Sequence, residues 1–103
     1  MAIKIFLPRE HDSFSDLTIN GERLLIRFTY NDTFDYWSFG LYELNRTPIL
    51  SGVKIVPNFP LNLFTPLRRF EGTLFMAATK LERIGSSDFW EDLASFLLVG
   101  VSA

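Results

Sequence analysis

Residues 30–61 read Y-N-D-T-F-D-Y-W-S-F-G-L-Y-E-L-N-R-T-P-I-L-S-G-V-K-I-V-P-N-F-P-L. From Tyr36 to Leu44 the pattern alternates, with Trp37, Phe39 and Leu41 on one face and Tyr36, Ser38, Gly40 and Tyr42 on the other. That period of two belongs to a half-buried strand. Gly40 leaves room for a neighbouring ring or backbone. Asn45-Arg46 makes the next turn, since Asn tolerates a left-handed conformation. Pro48 cannot donate to a ladder, so it belongs at a strand's first residues or on an edge. Gly52, between Ile49-Leu50-Ser51 and Val53-Lys54-Ile55-Val56, marks a bulge that lets one segment bend between two pairings. Trp37, Phe39, Leu41, Ile49, Val53 and Ile55 form the expected core scaffold.

Upstream of this stretch, Asp16 to Ile19, then Asn20-Gly21, then Glu22 to Tyr30 carry the signature of a type I′ hairpin. Both central residues of that turn need positive φ, which Asn and Gly accept. After the turn Leu24, Ile26, Phe28 and Tyr30 point one way, and Arg23, Leu25, Arg27 and Thr29 the other. Residues 2–7 (A-I-K-I-F-L) alternate loosely and stop at Pro8, as a short first strand or an arm that pairs with an edge. Downstream, residues 57–72 hold three of the five prolines and show no clean period. Loops of this length inside a compact domain are usually functional or covered by a partner. Phe59, Leu63, Phe64, Leu67 and Phe70 within it are costly to leave in water, at about 1.5–3 kcal/mol for each large apolar side chain. Thr73 to Leu81, bracketed by Gly72 and Gly85, is read as a buried strand. Asp88-Phe89-Trp90-Glu91 has the form of a capping box and predicts a short helix from about Asp88 to Ser95. Phe96 to Ser102 then closes the sheet. The expected fold is mainly β: one small domain over residues 1–103, an antiparallel β-barrel or sandwich with one short C-terminal helix. Within it, residues 1–13 form an N-terminal strand or arm and residues 14–101 the main β domain.

With 103 residues, 48% of them hydrophobic, and with eleven Phe, three Tyr and two Trp, the chain is far from the disordered class. Aromatics beyond the needs of a small core favour partner-facing patches and self-association. The formal net charge is −2 and the only basic doublet is Arg68-Arg69. A nucleic-acid binder needs a basic face to release phosphate counterions, and none is visible. There is no cysteine, hence neither disulfides nor thiolate metal sites. The apolar start is too short for a signal-peptide core, and the run from Phe96 to Val101 is too short to span a bilayer. The chain is therefore expected to be made and kept in the cytoplasm, with no membrane contact.

Catalytic constellations are wanting. The one histidine, His11, has Asp12 and Ser13 as neighbours, but a triad is built in space from distant residues, so H-D-S reads as loop composition. Asp32 and Asp35 read as turn caps, because no further ligand spacing follows them. Arg68-Arg69 meets an acidic partner surface or solvates a loop. Trp37, on a strand with Phe39 and Leu41, is core, whereas Trp90 serves either core or interface. No Gly-rich phosphate loop, zinc spacing or nucleophile elbow is present. Neither catalytic nor metal nor cofactor-binding residues are assigned.

The ordered succession L-T-I-N-G-E-R-L-L-I-R-F-T-Y-N (17–31), Y-W-S-F-G-L-Y (36–42), T-P-I-L-S-G-V-K-I-V-P (47–57), G-T-L-F (72–75) and L-L-V-G-V (97–101) resembles the phage baseplate plug proteins. The likeness spans residues 14–101. Its most specific parts are the Asn-Gly hairpin, Tyr30-Asn31 followed by Trp37, and P-I-L-S-G-V-K. The resemblance implies a small structural protein in the tail baseplate of a contractile-tailed phage, assembled in the host cytoplasm. It further implies binding to hub, spike and tube-initiator subunits in several copies around the tail axis, and help in closing the tail tube before ejection. No cofactor and no nucleic acid are required. On this basis the partner contacts fall to Phe59, Leu61, Leu63, Phe64, Leu67, Arg68, Arg69, Phe70 and Trp90. The competing reading is a small β-barrel adaptor of OB or SH3 type, binding a ligand or nucleic acid through Trp37, Tyr36 and Tyr42.

Overall fold

The computed structural model describes residues 2–19, 21–61 and 73–100. Seven strands form two antiparallel sheets. The first, four-stranded, takes β2 (Asp12–Ile19), β3 (Glu22–Asn31), β4 (Tyr36–Tyr42) and β5 (Pro48–Lys54) in chain order. The second, three-stranded, has the order β1 (Ala2–Ile5), β7 (Ala94–Gly100), β6 (Thr73–Thr79).

The meander follows the turn chemistry. Ile19 pairs with Glu22 across the Asn-Gly turn, and Gly21 has φ 80°, where a side chain would be strained. Alternation then directs Leu24, Ile26 and Phe28 inward, all fully buried, and β4 adds Trp37, Phe39 and Leu41. From the other sheet Phe75, Ala77, Phe96 and Leu98 meet them. Phe96 is the central ring, 5.0 Å from Phe28, 5.3 Å from Phe39 and 6.1 Å from Phe75 between centroids. Of the expected scaffold, Trp37, Phe39, Leu41 and Ile55 are buried, while Ile49 and Val53 pack partly buried against them.

β5 is a sheet margin, and Pro48 is its first residue. Its register with β4 shifts twice, once across Ser51-Gly52, where Gly52 has φ 68°. Gly40 is the neighbour that permits this bulge: a Cβ there would stand 2.8 Å from the Leu50 carbonyl oxygen. The bend between two pairings comes later than Gly52, however. The Ile55 amide still donates to Trp37 O of β4 at 2.8 Å, whereas Pro57 bridges to Ala77 of β6. The amides of Asn58 and Leu61 donate to Ala77 O and Phe75 O, each at 2.7 Å. Asn58 is left-handed (φ 58°), and its side chain pairs with the Thr79 backbone, donating to Thr79 O at 2.8 Å and accepting from Thr79 N at 3.1 Å. One segment thus crosses from the edge of the first sheet to the edge of the second.

The structure decides between the two expected architectures and corrects the expected helix. The sheets do not close into a barrel: this crossing joins them on one side only, and on the other β1 and β2 pair with their own sheets, so the molecule is a sandwich. The helix from Asp88 to Ser95 does not form, and no helix occurs among the described residues. The Asp88 carboxylate accepts from the upstream amide of Gly85 at 2.5 Å instead of capping a helix downstream. The Asp88 carbonyl takes the amides of Leu93 and Ala94, and Asp92 turns left-handed at φ 61°, so the chain folds back directly into β7. Packing selects this path, because Phe89 and Trp90 are adjacent and both meet Trp37, edge-on at 5.9 and 6.0 Å.

Candidate functional site

The candidate face for partner contacts is built where the turn after β3, the crossing segment and residues 82–84 converge. Asn31 shapes the turn: its side-chain oxygen accepts from the amides of Thr33 and Phe34, both at 3.0 Å, an Asx turn. Asp35 then adopts φ 56°. The consequence is that Phe34 projects into solvent, 74% exposed, from a hydrogen-bonded turn. Beneath it lies a groove of about 320 Å³, lined among others by Phe34, Lys54, Val56, Arg83 and Ile84. Asp35 anchors the rim, accepting a hydrogen bond from the Tyr30 hydroxyl and pairing with Arg83. The bond to the carboxylate raises the Tyr30 pKa above its ordinary value. Val56 is exposed in the groove lining, and Leu93 stands exposed beside a second groove of about 520 Å³ that Asn58 and Thr79 also line.

The residues assigned to contacts from sequence divide three ways. Phe59 is 44% exposed on the crossing segment. Leu61 is only 8% exposed; its side chain belongs to the chain's own core. Trp90 is half-buried against the core, with its indole N–H donating to Pro8 O at 2.9 Å. Leu63, Phe64, Leu67, Arg68, Arg69 and Phe70 lie outside the described residues. Sequence reasoning missed Phe34, Val56 and Leu93. For Phe34 a signal existed, a lone aromatic among Asn31, Asp32, Thr33 and Asp35, where no alternation accounts for it.

His11 has a packing role. Its ring stacks on Trp90 at 5.7 Å and 15°, and also touches Tyr30 at 4.9 Å. Among the described residues no cluster of three or more His, Cys, Asp or Glu is placed to hold a metal. No helix among them is long and apolar enough to cross a membrane. Trp37, one of the three rings the adaptor reading would use, is fully buried and donates its indole N–H to Gly85 O at 3.0 Å.

The resemblance in residue order is matched by one comparison: the family model described as cyanophage baseplate Pam3 plug gp18 matches residues 2–101. The chain belongs to this family. Membership in a baseplate plug family supports a structural role in a phage baseplate, a location in the virion tail and association with other baseplate components. The match starts with β1, so the N-terminal strand lies within the family's extent, in keeping with its pairing to β7. No curated protein matches the chain.

Proposed function

We propose that this protein is a non-enzymatic plug of a contractile phage tail. In this reading it binds hub, spike and tube-initiator subunits, in several copies around the tail axis, and helps close the tail tube until ejection. The observation that carries the reading is the family match over residues 2–101. The exposure of Phe34 and Val56, which line one groove of a well-packed sandwich, and of Phe59 on the crossing segment supports it, because apolar surface turned to solvent favours a partner. These three, with Trp90 and the contact residues from Leu63 to Phe70, are the proposed docking set. Phe34 is the expected anchor, since an aromatic ring on a pre-formed turn loses little freedom on binding.

The test is imaging and chemical cross-linking of purified tails that carry the wild-type protein or Phe34→Ala. The wild-type chain should appear in the central baseplate with cross-links to hub or spike subunits, and the variant should be depleted from assembled tails while remaining folded. Tails that lack this chain would sink the plug reading; full incorporation of Phe34→Ala would remove the anchor.

A further inference from the structure

The crossing segment joins the sheets on one side, and on the opposite side β1 and β2 end their sheets with no further strand partner among the described residues. These two strands differ. β1 has four residues and is soon followed by Pro8. β2 has eight, with neither proline nor glycine and no shift of register against β3. β5, the other margin of the same sheet, carries Pro48, Gly52 and two register shifts. Such irregularities blunt an edge against further pairing, and β2 has none of them in its backbone.

The phase of the ladder identifies the unused groups. The Tyr30 amide donates to His11 O at 2.7 Å, so the odd-numbered residues of β2 bond to β3. By alternation Asp12, Phe14, Asp16 and Thr18 turn their N–H and C=O outward. Beyond the ladder, no backbone hydrogen bond reaches these four from the described residues. Edge acids ordinarily repel an incoming strand, yet here they are neutralised from behind. Asp12 accepts two bonds from Arg27 at 2.7 and 2.6 Å, and Asp16 lies 3.8 Å from Arg23. The Phe14 ring sits under the guanidinium groups of Arg46, at 4.6 Å, and Arg27, at 5.5 Å.

We propose that β2 pairs antiparallel with β2 of a second copy of this chain, about a two-fold axis at Ser15, fusing the two four-stranded sheets into one. Only registers that set even-numbered residues against even-numbered residues match outward N–H to outward C=O. Centring on Phe14 would put Asp12 against Asp16, and centring on Asp16 would put that acid against itself; both are repulsive. Centring on Ser15 opposes Phe14 with Asp16 of the second copy and Asp12 with its Thr18, and overlaps the strand from His11 to Ile19. Asp16 then arrives beside the Arg27 and Arg46 guanidiniums over Phe14. Charge and length of overlap together select this register, since an axis nearer either end of β2 pairs fewer residues, and the contact is isologous. The inference rests on the fold alone and is independent of the plug reading.

Sedimentation velocity of the purified full chain over a dilution series tests it. A dimer that dissociates on dilution is expected. Asp16→Pro removes two of the four central intermolecular bonds and no backbone bond to β3, so it should give a folded monomer by near-UV circular dichroism. Ser15→Cys supplies the only thiol in a cysteine-free chain. On the axis, the two sulfurs fall within disulfide reach and mild oxidation should yield a covalent dimer; Thr18→Cys, off the axis, should not. A wild-type chain that stays monomeric at every concentration overturns the proposal. So does a dimer that survives Asp16→Pro together with Ser15→Cys that fails to cross-link. If Asp16→Pro unfolds, the two cysteine variants decide.

Discussion

The two sheets of this sandwich are made in opposite ways. β2 to β5 is a meander in which each strand pairs with its neighbour in the chain, through turns of a few residues. The three-stranded sheet is assembled from distant pieces, with β1 paired to β7 and the free side of β6 taken by the segment that leaves β5. Local pairing closes short loops and long-range pairing closes long ones, so the meander is expected to hold together more independently. The exposed turn that carries Phe34 belongs to the meander, and the opposite rim of its groove, at residues 82–84, leads into the second sheet. The groove exists only where the two are docked.

The largest expected effect comes from breaking that docking. Phe96→Ala removes the ring that touches Phe28, Phe39 and Phe75, at a cost of about 3–5 kcal/mol. Urea unfolding should show a lower midpoint, and amide exchange should show β1, β6 and β7 losing protection before β3 and β4. Simultaneous loss in both sheets would erase the distinction drawn between them.

A smaller effect isolates the crossing segment. Asn58→Gly keeps the left-handed backbone but deletes both side-chain bonds to Thr79, and should cost about 1–3 kcal/mol. Exchange at Thr79 and Ala77 should rise while the Asn-Gly hairpin is unaffected; a uniform change across both sheets would contradict the assignment.

The smallest effect lies on the outer face of the meander. The hydrogen bonds from Arg27 lower the Asp12 pKa below its ordinary value of 3.8. A carboxylate depressed in the folded state contributes stability that is present above its unfolded pKa and is lost as pH falls through the folded one. Asp12→Asn should therefore lower the denaturation midpoint slightly at neutral pH, and the gap to wild type should close on acidification below 3.8. Because the pair is exposed, added salt should narrow it as well. A gap that persists in strong acid would show that Asp12 acts through packing instead.

What could be read from the sequence follows the same division. The Asn-Gly turn, the inward row Leu24, Ile26 and Phe28, the buried Trp37, Phe39 and Leu41, the close approach at Gly40 and the edge position of Pro48 are all local consequences of side-chain alternation and turn geometry. The strand expected over Thr73 to Leu81 is also present, as β6. The misreadings arose where distant contacts decide. Asp88 has the composition of a helix cap, but its carboxylate meets the amide of Gly85 while Phe89 and Trp90 are drawn onto Trp37. Leu61 sits in a stretch that reads as an excursion, yet its amide bonds to Phe75 and its side chain is core. His11 reads as loop composition, and its ring stack with Trp90 leaves no trace in the spacing. The exposure of Phe34 depends on Asn31 folding the turn beneath it, a feature of hydrogen bonding and not of hydropathy.

The pairing of β1 with β7 sets an order of events during synthesis. Ile5 pairs with Phe96, so β1 leaves the ribosome well before its partner strand and must wait for it. The meander can form while translation continues, whereas β1, with Ile3 and the nearby Phe6, stays unpaired until β7 emerges. Completion of the second sheet is therefore a late event, and a chain truncated before β7 would release the meander with its apolar face uncovered.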